Sequence, residues 1–218
     1  MQINYFIIMN KTLVSITLSI LAILLFGALV FNKTHRVDLP PQKQINIEGQ
    51  PIIGQGQMTM VAFEDMKCSN CKRFDEEIYP YIKTHYIDTG KARYVTIPLA
   101  FITNSTPAGN AALCAYHQQP ALFFSYVNYL YQHQPDEALD WATPDLLTQF
   151  AQQIPGIDMQ AFTTCIKNNT YYTQLQQNLG LAGEVMGDTV QTPTLYINGY
   201  VITPMTIEQI EKIANTQQ

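Results

Sequence analysis

Positive charge is scarce in this sequence. Its 12 Lys and Arg are outnumbered by 17 Asp and Glu, a formal charge of −5 over 218 residues. Such a surface repels phosphate backbones, which argues against nucleic-acid binding. Charge of either sign is low, at 13% of residues. Cysteine is sparse too: four in 218 residues are too few for a disulfide-dense scaffold and too many to pass over. There is no internal repeat and no low-complexity run, although the C-terminal half is rich in Gln. Apolar residues are plentiful. With 47% hydrophobic and 11% aromatic residues the chain can bury a sizeable core, which excludes a disordered protein.

Ionisable side chains are missing altogether between Thr12 and Asn32, and Lys11 is the single charge in residues 1–32. The apolar run is about 20 residues long, the length a helix needs to span ~30 Å of hydrocarbon. It predicts an N-terminal transmembrane helix within residues 1–32. Gly27 and Ala28 are the nearest candidates for a signal cleavage site, but Leu29, Val30 and Phe31 follow them, so an uncleaved anchor is preferred to a removed signal. Lys11 precedes the run while Lys33 and Arg36 follow it, so the flanking charges do not decide orientation. Residues 33–57 contain Pro40, Pro41, Pro51 and three Gly without apolar periodicity, and read as a polar linker.

The remainder, 58–218, reads as one α/β domain. MTMVAFEDM at 58–66 is a short buried strand. The helix that follows places Phe74, Ile78, Tyr81 and Ile82 on one face, with a kink expected at Pro80. ARYVTIPLAF at 92–101 is a second strand. The segment at about 105–185 is mostly helical, cut into four or five short helices by Pro120, Pro135, Pro144 and Pro155-Gly156. Strand signals return in TPTLYINGYVITP, where Asn198-Gly199 marks a hairpin turn, and Thr206 is a candidate cap for a last helix. The order is strand, helix, strand, helical block, hairpin, helix: an α/β core with a helical insertion.

The chemistry points to Cys68 and Cys71, spaced Cys-x-x-Cys directly after a strand and at a helix start. That spacing allows both sulfurs on one side of the first turn and permits a small-ring disulfide. The helix N-terminus carries unpaired N–H groups and about half a positive charge, which favour a thiolate at Cys68; Lys67, Lys72 and Arg73 stand near it. Cys68 is then the nucleophile of thiol–disulfide exchange and Cys71 the resolving thiol. Haem attachment is excluded because Lys72, and not a His, follows Cys71. A zinc site would need two more ligands, and Cys114 and Cys165 are isolated, with His117 the one close companion of Cys114. A structural disulfide at Cys68–Cys71 is the remaining plain alternative.

VAFEDMKCSNCKRF, NAALCAYHQQ, FTTCIKNN and QTPTLYING together resemble the DsbA-like thioredoxin-fold thiol:disulfide oxidoreductases, over about residues 45–215. The pairing of CSNC with TPT some 120 residues later is more specific than either part. The resemblance implies a thioredoxin fold with an inserted helical domain, and action in the periplasm or outside the cytoplasmic membrane. It implies that Pro193 is cis beside the active-site sulfurs and that Thr192 offers backbone hydrogen bonds to a substrate peptide. In an oxidising compartment Cys114 and Cys165 on packed helices are read as a structural disulfide, which the resemblance supports. No cofactor is called for. The implied partners are reduced or misfolded protein substrates and a membrane redox partner that reoxidises or reduces the CSNC pair.

Two departures from the family pattern stand out. Ser69-Asn70 lacks the Pro or His often found between the cysteines, and Ala62 occupies the strand position where a buried acid is common. Glu64 shares a face with Ala62, but a solvated strand-end carboxylate is the reading taken for it. Tyr116, Phe123, Phe124, Tyr126, Tyr129 and Tyr131 read as core with an exposed part lining a groove beside the site. His35, His85, His117 and His133 carry no site. Cys68 should titrate in the upper half of the ~3.5–7.5 range of activated cysteines, giving a milder oxidant than the ~−120 mV extreme. The function read from these features is an extracytoplasmic, membrane-tethered thiol:disulfide oxidase. Its rivals are a reductase or isomerase of the same fold and a copper-binding module using Cys68, Cys71 and a Met, for which Met66 would point to the opposite strand face.

Overall fold

The structure, a computed structural model, describes residues 13–27 and 39–216. The ends of the apolar run, with Lys11, Lys33, His35 and Arg36, and the first part of the linker lie outside the described residues. Residues 13–27 are helical and expose apolar side chains all round, from Leu13 at 54% to Phe26 at 70%. The hydroxyls of Thr17 and Ser19 donate to carbonyls one turn back, so the helix satisfies its own polar groups. These 15 residues rise only ~22 Å. Among the described residues no helix is long and apolar enough to cross a membrane.

Residues 39–216 fold around a five-stranded sheet in the order β1-β3-β2-β4-β5. The strands are β1 (Ile52–Ile53), β2 (Met58–Asp65), β3 (Ala92–Leu99), β4 (Thr194–Ile197) and β5 (Tyr200–Val201). β2 and β3 run parallel from Met58 against Ala92 to Asp65 against Leu99, and the other pairs are antiparallel. A parallel pair needs a crossover, and the segment after β2 supplies it. That segment is α1 (Ser69–Glu77), α2 (Tyr79–Ile82) and a π-helical turn, Lys83–Ile87. The expected kink at Pro80 is a full break between α1 and α2, because proline has no N–H to continue the ladder and sits in the first turn of the next helix.

Alternation along β2 sorts the two faces. Met58, Met60 and Ala62 pack with Phe74, Ile82, Tyr86 and the last helix; Val61 and Phe63 pack with Ala182, Val185 and Tyr196 on the other side. Covered on both faces, the central strands read as near-continuous apolar runs. Between β3 and β4 stand five helices: α3 (Thr106–Tyr116), α4 (Pro120–His133), α5 (Pro144–Ala151), α6 (Met159–Lys167) and α7 (Tyr172–Met186). Pro120 and Pro144 each begin a helix, where a missing N–H costs nothing. The helices enclose a core of their own around Tyr126, Leu130, Tyr131, Leu147 and Phe162.

The hairpin turns at Asn198 and Gly199, both with positive φ. Gly199 must be glycine twice over, since a Cβ there would also lie 2.1 Å from the Lys43 carbonyl oxygen. Thr206 caps α8 (Ile207–Asn215), its side chain accepting from the Gln209 N–H.

One expectation needs correction. The stretch read as a linker is partly structured, since Ile52 and Ile53 pair with Val95 and Tyr94. Gln50 is buried against Asn178, and Ile45 and Ile47 pack beside Val61 and Phe63. Two apolar residues between Pro51 and Gly54 are too few to show the period of a strand, so the sequence pattern hid an edge strand.

Candidate active site

The turn joining β2 to α1 is held by Asp65. Its carboxylate accepts the N–H groups of Lys67 (2.9 Å), Phe101 (3.0 Å) and Ile102 (3.1 Å) and the Ser105 hydroxyl (2.8 Å). This ties the turn to the loop after β3. The Cys68 N–H donates to the Asp65 carbonyl, and the Cys68 carbonyl accepts from Lys72, so Cys68 is the last non-helical residue and Ser69 opens α1. Both cysteines are free thiols; Cys68 is 5% exposed and Cys71 fully buried.

Opposite them lies Thr192-Pro193, with a cis peptide bond. The Cys68 sulfur stands 3.5 Å from the Thr192 carbonyl oxygen. Asn70, Arg73, Glu77, Thr192, Pro193 and Met205 line a groove of about 390 Å³ beside the pair. The aromatic group does not line this groove. Phe123, Tyr126 and Tyr131 are core, and Tyr116, Phe124 and Tyr129 pack half-buried against the insertion.

The two thiols are driven apart in acidity. A hydrogen bond from the Cys71 thiol holds Cys68 down at about 6 against the opposing pull of burial; the Thr192 side chain and the N–H groups of Cys71 and Asn70 add to it. Cys71 is pushed well up, first by burial, then by its bond to Cys68 and the nearby Glu64 charge. Two of the three cations expected to lower Cys68 are engaged elsewhere, while Arg73 is exposed and lines the groove. Lys67 is buried with Nζ donating to the Thr103 carbonyl at 2.8 Å, and Lys72 lies 3.8 Å from Glu76.

Glu64 overturns its reading as a solvated carboxylate. It is 4% exposed, and its two oxygens accept from the hydroxyls of Tyr94 (2.9 Å) and Tyr131 (3.1 Å). Burial first, then the Asp75 charge, push it up to about 8, against the two tyrosine bonds. Asp75, one turn after Cys71 on α1, is raised by burial to about 6 with Asn128 donating to it. Sequence reasoning weighed Glu64 as a substitute for the acid missing at Ala62 and set it aside, and did not single out Asp75. The available signals were Glu64's shared face with Ala62 and the i+4 spacing of Asp75 from Cys71.

Cys114 on α3 and Cys165 on α6 are joined as a disulfide, with their Cα atoms 5.9 Å apart. Met66 is buried and accepts from the Tyr131 hydroxyl at 3.7 Å. Among the described residues no group of three or more His, Cys, Asp or Glu could hold a metal ion.

Comparison with known proteins gives consistent likenesses. The family described as Thioredoxin matches residues 48–215. Disulfide bond formation protein D of Bacillus subtilis (strain 168) is 29% identical over 174 residues, covering 78% of each chain. The crystal structure of Chlamydia trachomatis DsbA superposes with a TM-score of 0.73 at 31% identity, over 82% of this chain and 97% of that one. The crystal structure of oxidised BdbD from Bacillus subtilis gives 0.75 at 27%, over 83% and 98%.

Proposed function

We propose, from the premise that this chain belongs to the DsbA-like thioredoxin-fold family and is a thiol:disulfide oxidoreductase, that it acts as a protein-dithiol oxidase through Cys68 and Cys71. The observation that carries the direction is the split between the thiols, Cys68 held at about 6 and Cys71 well above its ordinary value. A stabilised Cys68 thiolate favours the reduced pair and makes Cys68 a good leaving group.

The steps balance as follows. A substrate thiolate attacks the Cys68 sulfur of the oxidised pair, and the electron pair of the breaking Cys68–Cys71 bond goes to Cys71. Cys71 is poorly stable as a thiolate in its buried site and takes a proton. Glu64, protonated at neutral pH and close enough for its charge to raise Cys71, is a buried source of that proton. A second substrate thiolate then attacks the substrate sulfur of the mixed disulfide and expels Cys68 as a thiolate. The substrate loses two electrons and two protons; the pair keeps both electrons and one proton, and the other proton goes to solvent. No cofactor takes part. Thr192, Pro193 and the adjacent groove present the substrate backbone to Cys68.

The apolar residues before Asn32 are assigned to a single membrane anchor, residues 33–57 to the approach to the domain, and 58–218 to the catalytic domain with its insertion. The Cys114–Cys165 bridge supports an oxidising compartment, periplasmic or extracellular, because such bonds persist there. A membrane redox partner would reoxidise the pair. The test is equilibration in glutathione buffers together with oxidation of a reduced, unfolded protein. A potential nearer ~−180 than ~−270 mV and net disulfide formation are expected; ~−270 mV would leave a reductase.

A further inference from the structure

The active-site helix has no cap of its own. Among the groups around its first turn, Cys68 makes no side-chain capping bond and α1 has no acidic residue there. The free donor at its start is instead taken by a residue far away in sequence. The Ser69 N–H donates to the Glu137 carboxylate at 2.6 Å. Glu137 lies in the segment between α4 and α5 and is half-buried.

This carboxylate is held there by its own loop. Gln134, three residues earlier and 7% exposed, donates through Nε2 to the Lys67 carbonyl at 2.5 Å. Asp136 closes a tight turn by accepting from the Ala138 N–H with its side chain and from the Leu139 N–H with its carbonyl. The segment thus grips the backbone on both sides of Cys68, at Lys67 and at Ser69. Among the described residues, the buried side-chain polar atoms without a partner are Gln134 Oε1 and Trp141 Nε1, one near each end of this segment. Unpaired buried groups are costly, and their confinement here marks a placement held for another reason than its own stability.

We propose that Glu137 is a positioning residue of the exchange site: it caps the active-site helix from the inserted helical block and competes with the Cys68 thiolate for the helix's positive end, making the pair a milder oxidant than the helix alone would. This rests on the reading of Cys68 as the exchanging thiol. The charged and titratable groups around Cys68 are Cys71 and Lys72 on α1, Glu64 and Asp65 on β2, Lys67 with its ammonium turned to Thr103, and Glu137. Asp65 holds the Lys67 N–H on the strand side of the sulfur, whereas Glu137 puts its carboxylate on the Ser69 N–H in the first turn of the helix. An anion at a helix N-terminus is stabilised by its unpaired N–H groups, so two anions sharing that terminus each weaken the other's hold.

The test compares wild type with Glu137→Gln and Glu137→Ala in the full chain, by thiolate absorbance against pH and by equilibration with glutathione. Gln keeps an oxygen to accept from Ser69 and removes the charge; Ala removes both. Both variants should lower the Cys68 pKa and shift the glutathione equilibrium toward the reduced pair by roughly two- to tenfold, with tenfold equal to ~30 mV. The Gln variant should do so with a smaller loss of thermal stability than the Ala variant, since it keeps the hydrogen bond to Ser69. An unmoved or raised Cys68 pKa in Glu137→Gln overturns the proposal, whatever happens to stability in Glu137→Ala. Failure of the wild type to exchange with glutathione would instead refute the oxidoreductase reading, and the thiolate titration still reads the competition in that case.

Discussion

Two cysteine pairs share this chain and meet opposite surroundings. Cys68 and Cys71 lie where β2 meets α1, among groups that accept, donate or titrate: Thr192, Glu64, Tyr131 and the N–H groups of the first helical turn. Cys114 lies on a helix lined with Ala108, Ala111, Ala112 and Ala115, and its partner Cys165 is 51 residues away. Cys114 is buried and Cys165 partly buried, and the two are already joined as a disulfide. Near the first pair burial raises both thiols, but the hydrogen bond from the Cys71 thiol to Cys68 lowers one and raises the other. The lesson is that a cysteine pair is reactive because its two sulfurs are made unequal.

The sharpest way to break this comparison is to remove one sulfur from each pair. Cys68→Ser should abolish disulfide exchange in a glutathione or reduced-protein assay while leaving the melting temperature near that of the reduced wild type. Next in size, Cys114→Ser with Cys165→Ser should lose roughly 4 kcal/mol in urea unfolding, the chain entropy of a loop of this length. Its Cys68–Cys71 potential should not move. A large shift in potential there, or retained exchange in Cys68→Ser, would erase the division between the pairs.

A third expectation concerns Glu64, the buried acid whose charge adds to the rise of Cys71. Glu64 is raised from 4.5 to about 8, so between those values the folded protein keeps a proton that the unfolded chain releases. Its contribution is fully present below pH 4.5 and is lost as pH rises through about 8, with a limiting slope of about 1.4 kcal/mol per pH unit. Asp75 acts in the same direction between 3.8 and about 6. Cys68 in the reduced protein acts oppositely: its contribution is present above 9 and is lost as pH falls through about 6. Urea unfolding of Glu64→Gln between pH 6.5 and 8 should therefore show a stability that declines less with pH than in wild type. Equal slopes would place the Glu64 proton elsewhere. The same variant should slow reduction of the pair, as Cys71 loses a buried proton source.

The smallest effect is expected from Lys72→Ala. Its contact with Glu76 is a partly exposed i,i+4 pair, worth a few tenths of a kcal/mol. Chemical denaturation should detect no more than that, and the Cys68 pKa should shift less than in Glu137→Gln. A larger shift would return the surface cations to the role that sequence reading assigned them.

Much of the site was readable along the chain because it is local. The Cys-x-x-Cys spacing, the strand before it, the Asn198-Gly199 turn and the Thr206 cap each depend on a few consecutive residues. Glu64 was misread for the opposite reason. A carboxylate near a strand end is solvated or buried according to what covers it, and here the cover is Tyr131 on α4, 67 residues away. The edge strand at Ile52-Ile53 escaped notice because two residues carry no period, and its partner β3 begins some forty residues later.

The sequence by itself determined the reactive motif, the α/β order of elements and an acidic, apolar-rich chain able to bury a core, since composition and local backbone preference act at short range. Tertiary structure decided which thiol ionises, which acid is buried, that Glu137 reaches the start of α1, and that Cys114 meets Cys165. Those outcomes depend on desolvation and on hydrogen bonds between residues about 50 to 125 positions apart, and only packing brings such groups within reach of one another.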